Sequence, residues 1–462
     1  MLFHTWTFVL FFLIVYPVYL ATRRTRFKLP WLLAASYVFY GAWNPLYLLL
    51  IVYSTTVDYV AVIGMSRTRR RKPWLALSVV NNLGLLGFFK YGGFVAESLN
   101  ALLAWAGLPF AVPQPGVLLP VGISFYVFQS MSYTIDYYRG QVDKEPSFIR
   151  YATFVSLFPQ LVAGPIERAR NLLPQLHEDR RISLDDVADG LSLFVVGFFK
   201  KVALADFLAL YVDRVYGAPA RFAAPALILA TVAFGWQIYF DFSGYTDMAR
   251  GVGRMMGFRL MLNFNNPYLA TGLGDFWRRW HISLSTWFRD YVYIPLGGSR
   301  RSDVRTYVNM ALTMLVSGLW HGASWTFVIW GGLHALGRVA TRRLESTAVY
   351  RERVPLAVKR LWVFAFVTFA WIFFRARTLA DAWLIVRRIA AFAWHDPACP
   401  LLAIGLVLAV WLYQALYESR MRGLLRPAPV RIALVACMLV YAAVHTAVFA
   451  GAAAQQFIYF QF

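Results

Sequence analysis

Long apolar runs alternate with short basic connectors along most of the chain, and this pattern predicts secondary structure before any single residue is considered. A hydrophobic stretch of roughly 20 residues can cross the hydrocarbon core of a bilayer as an α-helix. We predict a membrane-spanning helix for each run that approaches this length, namely residues 5–22, 46–64, 117–135, 225–240, 307–337, 401–417 and 432–451.

Shorter or interrupted apolar runs fill the gaps between these spans, at residues 31–40, 74–89, 148–164, 191–210 and 361–374. A bilayer tolerates such segments only where neighbouring helices cover their backbone, so we expect tilted, re-entrant or protein-buried helices there. The chain is therefore expected to form roughly ten to twelve membrane-embedded helices. They should belong to one domain that spans residues 1–462.

Composition supports the same fold class. Hydrophobic residues make up 59% of the chain, charged residues make up only 15%, and the mean hydropathy is +0.53. These values lie outside the range of soluble domains, so we predict an all-α polytopic membrane protein. The first apolar run lacks a basic segment before it and a small-residue cleavage motif, so it should remain as a helix.

The formal net charge of +22 is placed mainly in connectors such as "ATRRTRFK" and "SRTRRRKP". This distribution is explained by the excess of Lys and Arg in cytoplasmic loops, and we expect no nucleic-acid partner. Placing residues 23–28 and 67–72 in the cytoplasm puts the amino terminus outside. A cytoplasmic loop with Arg420, Arg422, Arg426 and Arg431 would likewise send the final span and its terminal "FIYFQF" to the outer side.

Several familiar catalytic motifs are incomplete. The two cysteines are too sparse for a disulfide framework or a thiolate metal site, and His177 in "HEDRR" lacks the second histidine of a zinc motif. No phosphate-binding GxxxxGK[ST] loop occurs. Ser317 and His321 are four residues apart, as a nucleophile and its base could be on one helical face, but Leu315 replaces the expected glycine before the serine. We expect no metal site and no serine protease.

Polar residues inside apolar sequence are costly unless they pair or line a cavity. His321 lies in "SGLWHGASW" between Gly318 and Gly322, which would let another backbone or a substrate approach it, so we predict a functional role. His334 lies thirteen residues further along the same predicted span, near its end. A supporting, structural role is the simpler hypothesis for His334.

A second polar group lies in "YFDFSGYTDMARGVG", where we expect the helix to loosen at Ser243 and Gly244. Asp241 and Asp247 are most simply explained as ion-pair partners of arginines in residues 276–290. Asp241, Ser243 and Tyr245 nevertheless remain candidates for contact with a substrate.

The segment "FWRRWHISLSTWFRDYVYIPLGG", residues 276–298, combines arginines with aromatic residues in an otherwise apolar region. Residues three or four apart share a helical face. The segment should therefore present one polar and aromatic stripe on a short helix or re-entrant element that lines a central cavity; its members are Trp277, Arg278, His281, Ser285 and Arg289. The arginines could instead be plain cytoplasmic anchors, which is the hypothesis we favour for Arg279.

These segments, together with "LLPVGISFYVFQSMSYTIDYYRG", "FPQLVAGPIER", "SGLWHGASWTFVIWGGLHA" and the terminal "FIYFQF", resemble the membrane-bound O-acyltransferase (MBOAT) family. The branch they resemble is that of the bacterial polysaccharide O-acetyltransferases, to which the alginate-modifying enzymes belong. The similarity runs in order along most of the chain and is clearest within a core at residues 117–337.

The resemblance implies an acyltransferase of the bacterial inner membrane, and the basic loops after the first span and before the last predict that both termini are periplasmic. An acyl donor, acetyl-CoA, would bind from the cytoplasm without being a permanent cofactor, and the acetyl group would cross the membrane to an exported polysaccharide. A periplasmic acetyltransferase, the polysaccharide export machinery and membrane lipid are the implied partners. The essential histidine of the family matches His321, and a second characteristic histidine matches His281.

The chemistry of the residues agrees with that role. Acyl transfer to a hydroxyl needs a base, for which imidazole is suited, and donors for the developing oxyanion, which a tryptophan N–H, an arginine or a histidine could supply. Trp320, next to His321, is a candidate for binding the substrate or the donor. Arginines of the stripe would suit donor phosphates. Two alternatives stay open: a D-alanyl transferase of the same family that uses a carrier protein, and a glycan transporter without chemistry.

Overall fold

The structure is a computed structural model that describes residues 1–425, 427–448 and 457–458. It is 77% helical, and its described residues contain no β-strand, which confirms the all-α fold class. Contacts divide the chain into two compact units, one formed by residues 1–194 and 248–261 and the other by residues 195–247 and 262–462. A single domain over residues 1–462, with its core at 117–337, stays a prediction.

Twenty α-helices can be numbered along the described residues. The first ten are α1 (Trp6–Thr22), α2 (Lys28–Gly41), α3 (Leu48–Arg67), α4 (Arg71–Leu86), α5 (Gly92–Trp105), α6 (Ile123–Tyr138), α7 (Phe148–Ser156), α8 (Phe158–Leu161), α9 (Ala169–His177) and α10 (Leu184–Phe199). The others are α11 (Asp206–Gly217), α12 (Ala224–Met255), α13 (Leu273–Arg279), α14 (Ile282–Phe288), α15 (Asp303–His321), α16 (Trp325–Ser346), α17 (Leu356–Arg375), α18 (Leu379–Ala391), α19 (Leu401–Glu418) and α20 (Ala428–Val448).

Within the described residues, five helices are long and apolar enough to cross a membrane: Pro45–Arg67, Ala224–Met255, Leu356–Arg375, Leu401–Glu418 and Ala428–Val448. They confirm a multi-pass membrane protein and the predicted spans at 46–64, 225–240 and 401–417. The total of ten to twelve embedded helices stays a prediction. Residue 426 of the basic loop, the end of the predicted span at 432–451, and most of the terminal "FIYFQF" lie outside the described residues.

Two predicted spans differ from the observed helices. In the run 117–135, helix α6 begins only at Ile123, because Gly122 adopts a left-handed conformation with φ of 75°. The run 307–337 is not one helix, because the backbone is extended at Gly322 and a new helix begins after Ser324, whose hydroxyl accepts a hydrogen bond from the backbone N–H of Thr326. Side-chain capping of this kind starts a helix where the preceding one has ended.

The expected loosening at Ser243 and Gly244 is also wrong, since α12 runs through both residues without a break. A Cβ atom at Gly244 would lie 2.7 Å from the carbonyl oxygen of Gly197. The glycine therefore permits close packing of two helices rather than a kink.

The first unit buries a polar cluster among α3, α4 and α6. The carboxylate of Asp58 accepts hydrogen bonds from the hydroxyl of Ser78 at 2.6 Å and the amide of Asn82 at 2.9 and 3.0 Å. Ser54 in turn donates to the Asn82 carbonyl at 3.0 Å. All four side chains are buried, so these hydrogen bonds are what make their burial tolerable.

The second unit has an aromatic core, and its largest fully buried side chains include Trp236, Trp280, Trp330 and Trp371. Helices α15 and α16 form a hairpin around this core. Two glycines allow them to approach closely, since a Cβ atom at Gly318 would lie against the backbone of Phe327, and one at Gly331 would lie 2.6 Å from the carbonyl oxygen of Met314. The hairpin thus brings the two ends of the run 307–337 together.

Candidate active site

His321 is the last residue of α15, and its side chain is buried in the second unit. The centroid of its ring lies 5.0 Å from that of Trp330, 5.1 Å from Trp320 and 5.3 Å from Phe374. The helix ends here because Gly322 is extended, and a Cβ atom at Gly322 would overlap the ring of Phe327. The sequence had predicted His321 in the middle of a span, whereas it lies at the hairpin turn.

His281 is buried next to His321, and the two ring centroids are 6.4 Å apart. It separates α13 from α14 with a left-handed backbone, φ 41°, which is uncommon for a non-glycine residue and costs free energy unless the surroundings hold it. Asn263 holds this turn: its carbonyl accepts from the backbone N–H of Ile282 at 2.9 Å, and its side chain accepts from the N–H and hydroxyl of Ser283. The ring of Phe242 packs on His281 at 4.6 Å.

His334 belongs to the same cluster, although it lies on the second helix of the hairpin. Its ring centroid is 4.7 Å from Trp330 and 5.0 Å from Trp277. The structure therefore joins the three histidines through shared aromatic neighbours, although the sequence had predicted a catalytic role only for His281 and His321. Among the described residues, no three His, Cys, Asp or Glu side chains gather as metal ligands.

The predicted stripe is divided between two short helices and not carried on one. The break at Trp280 and His281 turns the chain, so that His281 faces the histidine cluster while the other four stripe residues line a cavity of about 640 Å³. We call this the arginine cavity. Its lining includes the predicted Trp277, Arg278, Ser285 and Arg289, and also Thr313, Ser317, Arg338 and Arg342.

Two arginines of this cavity, Arg338 and Arg342 on α16, were missed by the sequence analysis. A usable signal was present, because His334, Arg338 and Arg342 are spaced by four residues and so share one face of the helix. Arg338 pairs with Glu345 at 3.1 Å, while the guanidinium of Arg342 lies 3.6 Å from the sulfur of Met310 and 5.9 Å from the ring of Tyr307. Arg289 pairs with Asp290 at 2.8 Å.

A second cavity, of about 670 Å³, opens at the hairpin turn and is called the turn cavity. It is lined by Gly322, Ala323, Ser324, Thr326, Phe327, Phe374, Asp213, Arg375, Ala376 and Arg377. Gly322 directly follows His321, and Phe374 packs on its ring. Ser317, one helical turn before His321, lines the arginine cavity instead. His321 itself is not among the residues that line either cavity, but its neighbours in the sequence line both of them.

The candidates on α12 have a different environment. Asp241 pairs with the buried Lys201 at 2.9 Å and accepts a hydrogen bond from the backbone N–H of Ile458 at 2.6 Å. Tyr245 packs on Phe457, with ring centroids 4.9 Å apart. Ser243, which lies between Asp241 and Tyr245 in the sequence, is also buried. Asp241, Ser243 and Tyr245 are not among the residues that line either cavity.

The predicted partners of the α12 carboxylates also differ from those observed. The ion pairs of Asp241 and Asp247 are formed with Lys201 and Lys200, at 2.9 and 2.7 Å, rather than with the arginines of residues 276–290. Both lysines belong to the π-helical segment Lys200–Ala205 that follows α10. No pattern in the sequence indicated that this segment would lie beside α12.

The centre of the cluster holds buried hydrogen-bonding groups. Within the described part of the chain, the indole N–H groups of Trp277 and Trp330 and both ring nitrogens of His334 have no hydrogen-bond partner. Leaving such groups unsatisfied costs about 1–3 kcal/mol each, and that cost is removed when a ligand supplies an acceptor. The arrangement can therefore place a base and several donors around one small polar group.

The three histidines and the hairpin lie in a part of the chain that matches a known protein family. The sequence profile of the membrane-bound O-acyltransferase family matches residues 138–380, which include the three histidines and both cavity-lining helices of the hairpin. A protein of Azotobacter vinelandii named probable alginate O-acetylase AlgI is 46% identical over 382 residues, covering 81% of this chain and 74% of that protein.

Two further relatives have names that specify different transferred groups, acetyl in one and D-alanyl in the other. A peptidoglycan O-acetyltransferase of Helicobacter pylori is 36% identical over 387 residues, or 77% of this chain and 72% of its own length. A teichoic acid D-alanyltransferase of Bacillus subtilis is 27% identical over 266 residues, or 54% of this chain and 67% of its own length. Identity and coverage are thus both higher for the relatives named for acetyl transfer.

Proposed function

Because the chain belongs to the membrane-bound O-acyltransferase family and is an acyltransferase, we propose that it transfers acetyl groups from cytoplasmic acetyl-CoA across the membrane for O-acetylation of an exported polysaccharide. The relatives named alginate O-acetylase and peptidoglycan O-acetyltransferase support acetyl over D-alanyl as the group transferred. Family membership also decides against a transporter without chemistry.

The observation that carries the proposal is that residues on either side of His321 in the sequence line two different cavities. A transfer across a membrane needs a donor and an acceptor that reach one catalytic group from different sides. Ser317, four residues before His321, lines the arginine cavity, and Gly322, the next residue, lines the turn cavity. We assign the arginine cavity to the donor and the turn cavity to the acceptor.

The lining of the arginine cavity suits a phosphorylated donor. Guanidinium groups bind phosphate oxygens through two parallel hydrogen bonds, and four of them border this space. Arg342 is the best placed of them for an incoming phosphate, since its contacts in the structure are with a thioether and an aromatic ring rather than with a carboxylate. Trp277, between the arginines and His334, would cover the pantetheine arm.

The chemistry assigned to His321 is that of a general base. Its imidazole takes the proton of the acceptor hydroxyl as the oxygen attacks the thioester carbonyl. The C–S bond then breaks, the acetyl group stays on the acceptor oxygen, and the leaving thiolate receives the proton. Trp277 and Trp330 would donate their indole N–H groups to the carbonyl oxygen while it carries negative charge.

The membrane location, the orientation and the partner proteins are also part of the proposal. We place the protein in the bacterial inner membrane with both termini periplasmic, and expect a periplasmic acetyltransferase and the polysaccharide export machinery as partners. The sequence pattern that supports this orientation is the group of basic residues after the first span and before the last.

The experiment uses purified protein in nanodiscs with radiolabelled acetyl-CoA, and follows release of coenzyme A together with transfer of label. A general base contributes about 10²–10⁴-fold to the rate. The acetyl-transfer rate of His321→Ala should therefore be lower than that of the wild type by this factor, while the variant remains folded. His334→Ala should lose less, and His395→Ala, at an exposed position in a connector, serves as the matched control.

Two results would contradict the proposal. If His321→Ala keeps more than about a tenth of the wild-type rate while a folded His334→Ala is inactive, the base has been assigned to the wrong histidine. If acetyl-CoA is not consumed but a thioester of a carrier protein is, the donor is wrong and the D-alanyl alternative is favoured.

A further inference from the structure

Helix α5 and the segment that follows it form an arm of the first unit, which we define as residues 92–118. The segment after the helix folds back along it. The side chain of Asn100 donates a hydrogen bond to the carbonyl oxygen of Val112 at 3.0 Å and accepts one from its N–H at 2.7 Å. Gln114 donates to Glu97 at 3.1 Å. These contacts give the arm a defined shape, and it lines neither the arginine cavity nor the turn cavity.

One face of α5 is apolar and exposed. Val95, Leu99 and Leu102 are spaced by four and three residues, so they share one side of the helix. Their side chains are 49%, 42% and 56% exposed. Trp105 at the end of the helix and Phe110 in the returning segment are also exposed. A group of large apolar side chains on one surface indicates that another apolar phase or molecule covers it.

The composition of the arm favours lipid as that covering phase. Glu97 is its one charged residue in the sequence, and the chain then has no Asp, Glu, Lys or Arg before Asp136. Three residues of the returning segment, Pro109, Pro113 and Pro115, have no backbone N–H that would have to leave water. A protein partner is usually recognised through hydrogen bonds and charge as well as apolar contact, whereas a lipid surface requires only the apolar contact.

The arm lies at the level where a membrane span begins. Tyr47 belongs to the helical stretch Pro45–Arg67, which is long and apolar enough to cross a membrane. Its hydroxyl donates to the carbonyl oxygen of Leu118 at 2.7 Å, and its ring lies 6.1 Å from that of Phe89. Trp43 stacks on Tyr47 with ring centroids 5.3 Å apart. Tryptophan and tyrosine are enriched where the headgroups of a bilayer meet its acyl chains.

The length of the helix that leads to the arm places it at the same level. Helix α4 begins at Arg71, shortly after α3 ends at Arg67, and continues through the π-helical segment Gly87–Tyr91 to the start of the arm at Gly92. At about 1.5 Å per residue, residues 71–91 are about 30 Å long, which is the thickness of the hydrocarbon core. The arm therefore begins one membrane thickness away from the basic connector between α3 and α4.

We propose that the arm is an interfacial anchor that lies in the surface of the bilayer, with Val95, Leu99 and Leu102 inserted among the lipid acyl chains. An amphipathic helix of this kind lies about 5–10 Å deep, at the boundary between headgroups and acyl chains. The opposite side of α5, which includes the exposed Ala104, faces water. The partner is phospholipid, and the inference depends on neither the acyl donor nor the acceptor.

The test measures the depth of single nitroxide spin labels in phospholipid nanodiscs by electron paramagnetic resonance. The labels are attached to cysteines introduced into the full chain after replacement of its two cysteines, Cys399→Ala and Cys437→Ala. Labels at Leu99→Cys and Leu102→Cys should collide more often with oxygen, which concentrates among acyl chains, than with a water-soluble nickel complex. Ala104→Cys, two residues after Leu102 and about 200° around the helix, is the matched control and should show the reverse.

The two reagents distinguish the possible surroundings of the apolar face. An excess of nickel collisions at Leu99 and Leu102 would place this face in water, and few collisions with either reagent would show that protein covers it. Each of these results would overturn the proposal. An oxygen excess at Ala104 as large as at Leu102 would also overturn it, because the whole arm would then lie inside the acyl chains. Leu99 and Leu102 are labelled in separate variants, so that one folded variant is sufficient for the test.

Discussion

The packing of the α15 and α16 hairpin gives a sharp test of whether the spacing of the histidine cluster matters for catalysis. Two adjacent glycines of α16, Gly331 and Gly332, differ in what a methyl group would meet. At Gly331 a Cβ atom would lie 2.6 Å from the carbonyl oxygen of Met314 and 3.2 Å from Cα of Leu315. At Gly332 the nearest atom would be the flexible end of Leu315, at 3.9 Å.

The magnitude follows from these distances. Ordinary contact begins near 3.4 Å, so Gly331→Ala must part the two helices by about 0.8 Å, the difference between 3.4 and 2.6 Å. Overpacking of this kind costs about 1–3 kcal/mol of stability. The ring centroid of Trp330, the residue before Gly331, lies 5.0 Å from that of His321 and 4.7 Å from that of His334. A displacement of α16 at Gly331 should therefore also displace the histidine cluster. A misplacement of about 1 Å can cost roughly 100-fold in rate.

We therefore expect Gly331→Ala to lower the acetyl-transfer rate per folded molecule by about 10- to 100-fold. Gly332→Ala is the matched control: it makes the same chemical change one position along the same helix, and alanine favours helix by up to about 1 kcal/mol over glycine. The assay is the initial rate with radiolabelled acetyl-CoA, with folding judged by monodispersity and thermal unfolding.

The outcome that refutes this reasoning is equal activity in the two variants. If both retain the wild-type rate, the hairpin spacing does not position the catalytic group. If both lose it equally, the loss comes from removing glycine as such and not from the contact with Met314.

Three further predictions concern separate regions. Arg342→Gln should raise the KM for acetyl-CoA about 10-fold or more with little change in kcat. Arg305→Gln, at an exposed position on α15 outside the cavity lining, is the control and should leave the KM unchanged. Equal KM values for the two variants would show that Arg342 does not belong to the donor site. Burial raises the pKa of Glu167, in the connector between α8 and α9, to about 7 from its ordinary 4.5. Between these two pKa values the folded chain holds a proton that the unfolded chain has lost, so the free energy of unfolding should decrease as pH rises from 4.5 to about 7, by up to roughly 3 kcal/mol. Thermal unfolding of Glu167→Gln should not show this decrease. A cysteine placed beside Met1 should react with an impermeant thiol reagent in intact spheroplasts, and protection there would reverse the predicted orientation.

The amino-acid sequence by itself determined the class of the protein, an all-α membrane acyltransferase. Run length and hydropathy can be read from the sequence alone, so the spans at 46–64 and 401–417 could be predicted within a few residues. The span at 225–240 was predicted correctly at its start, whereas the observed helix continues to Met255. Residue type made His321 a candidate, because an ionisable group in apolar sequence is costly to bury and is usually retained for a function, and the structure buries it beside His281. Four members of the predicted stripe do line one cavity, including Trp277 and Arg289.

Only the tertiary structure decided how those residues meet. The left-handed backbone of His281 depends on hydrogen bonds to Asn263, eighteen residues earlier, so no helical periodicity could reveal that the stripe is broken there. The hairpin turn after His321 depends on an extended glycine and on backbone contact across Gly331, which hydropathy does not encode. Contacts of this kind join residues distant in the chain, and their energy exists only once both partners have folded into place.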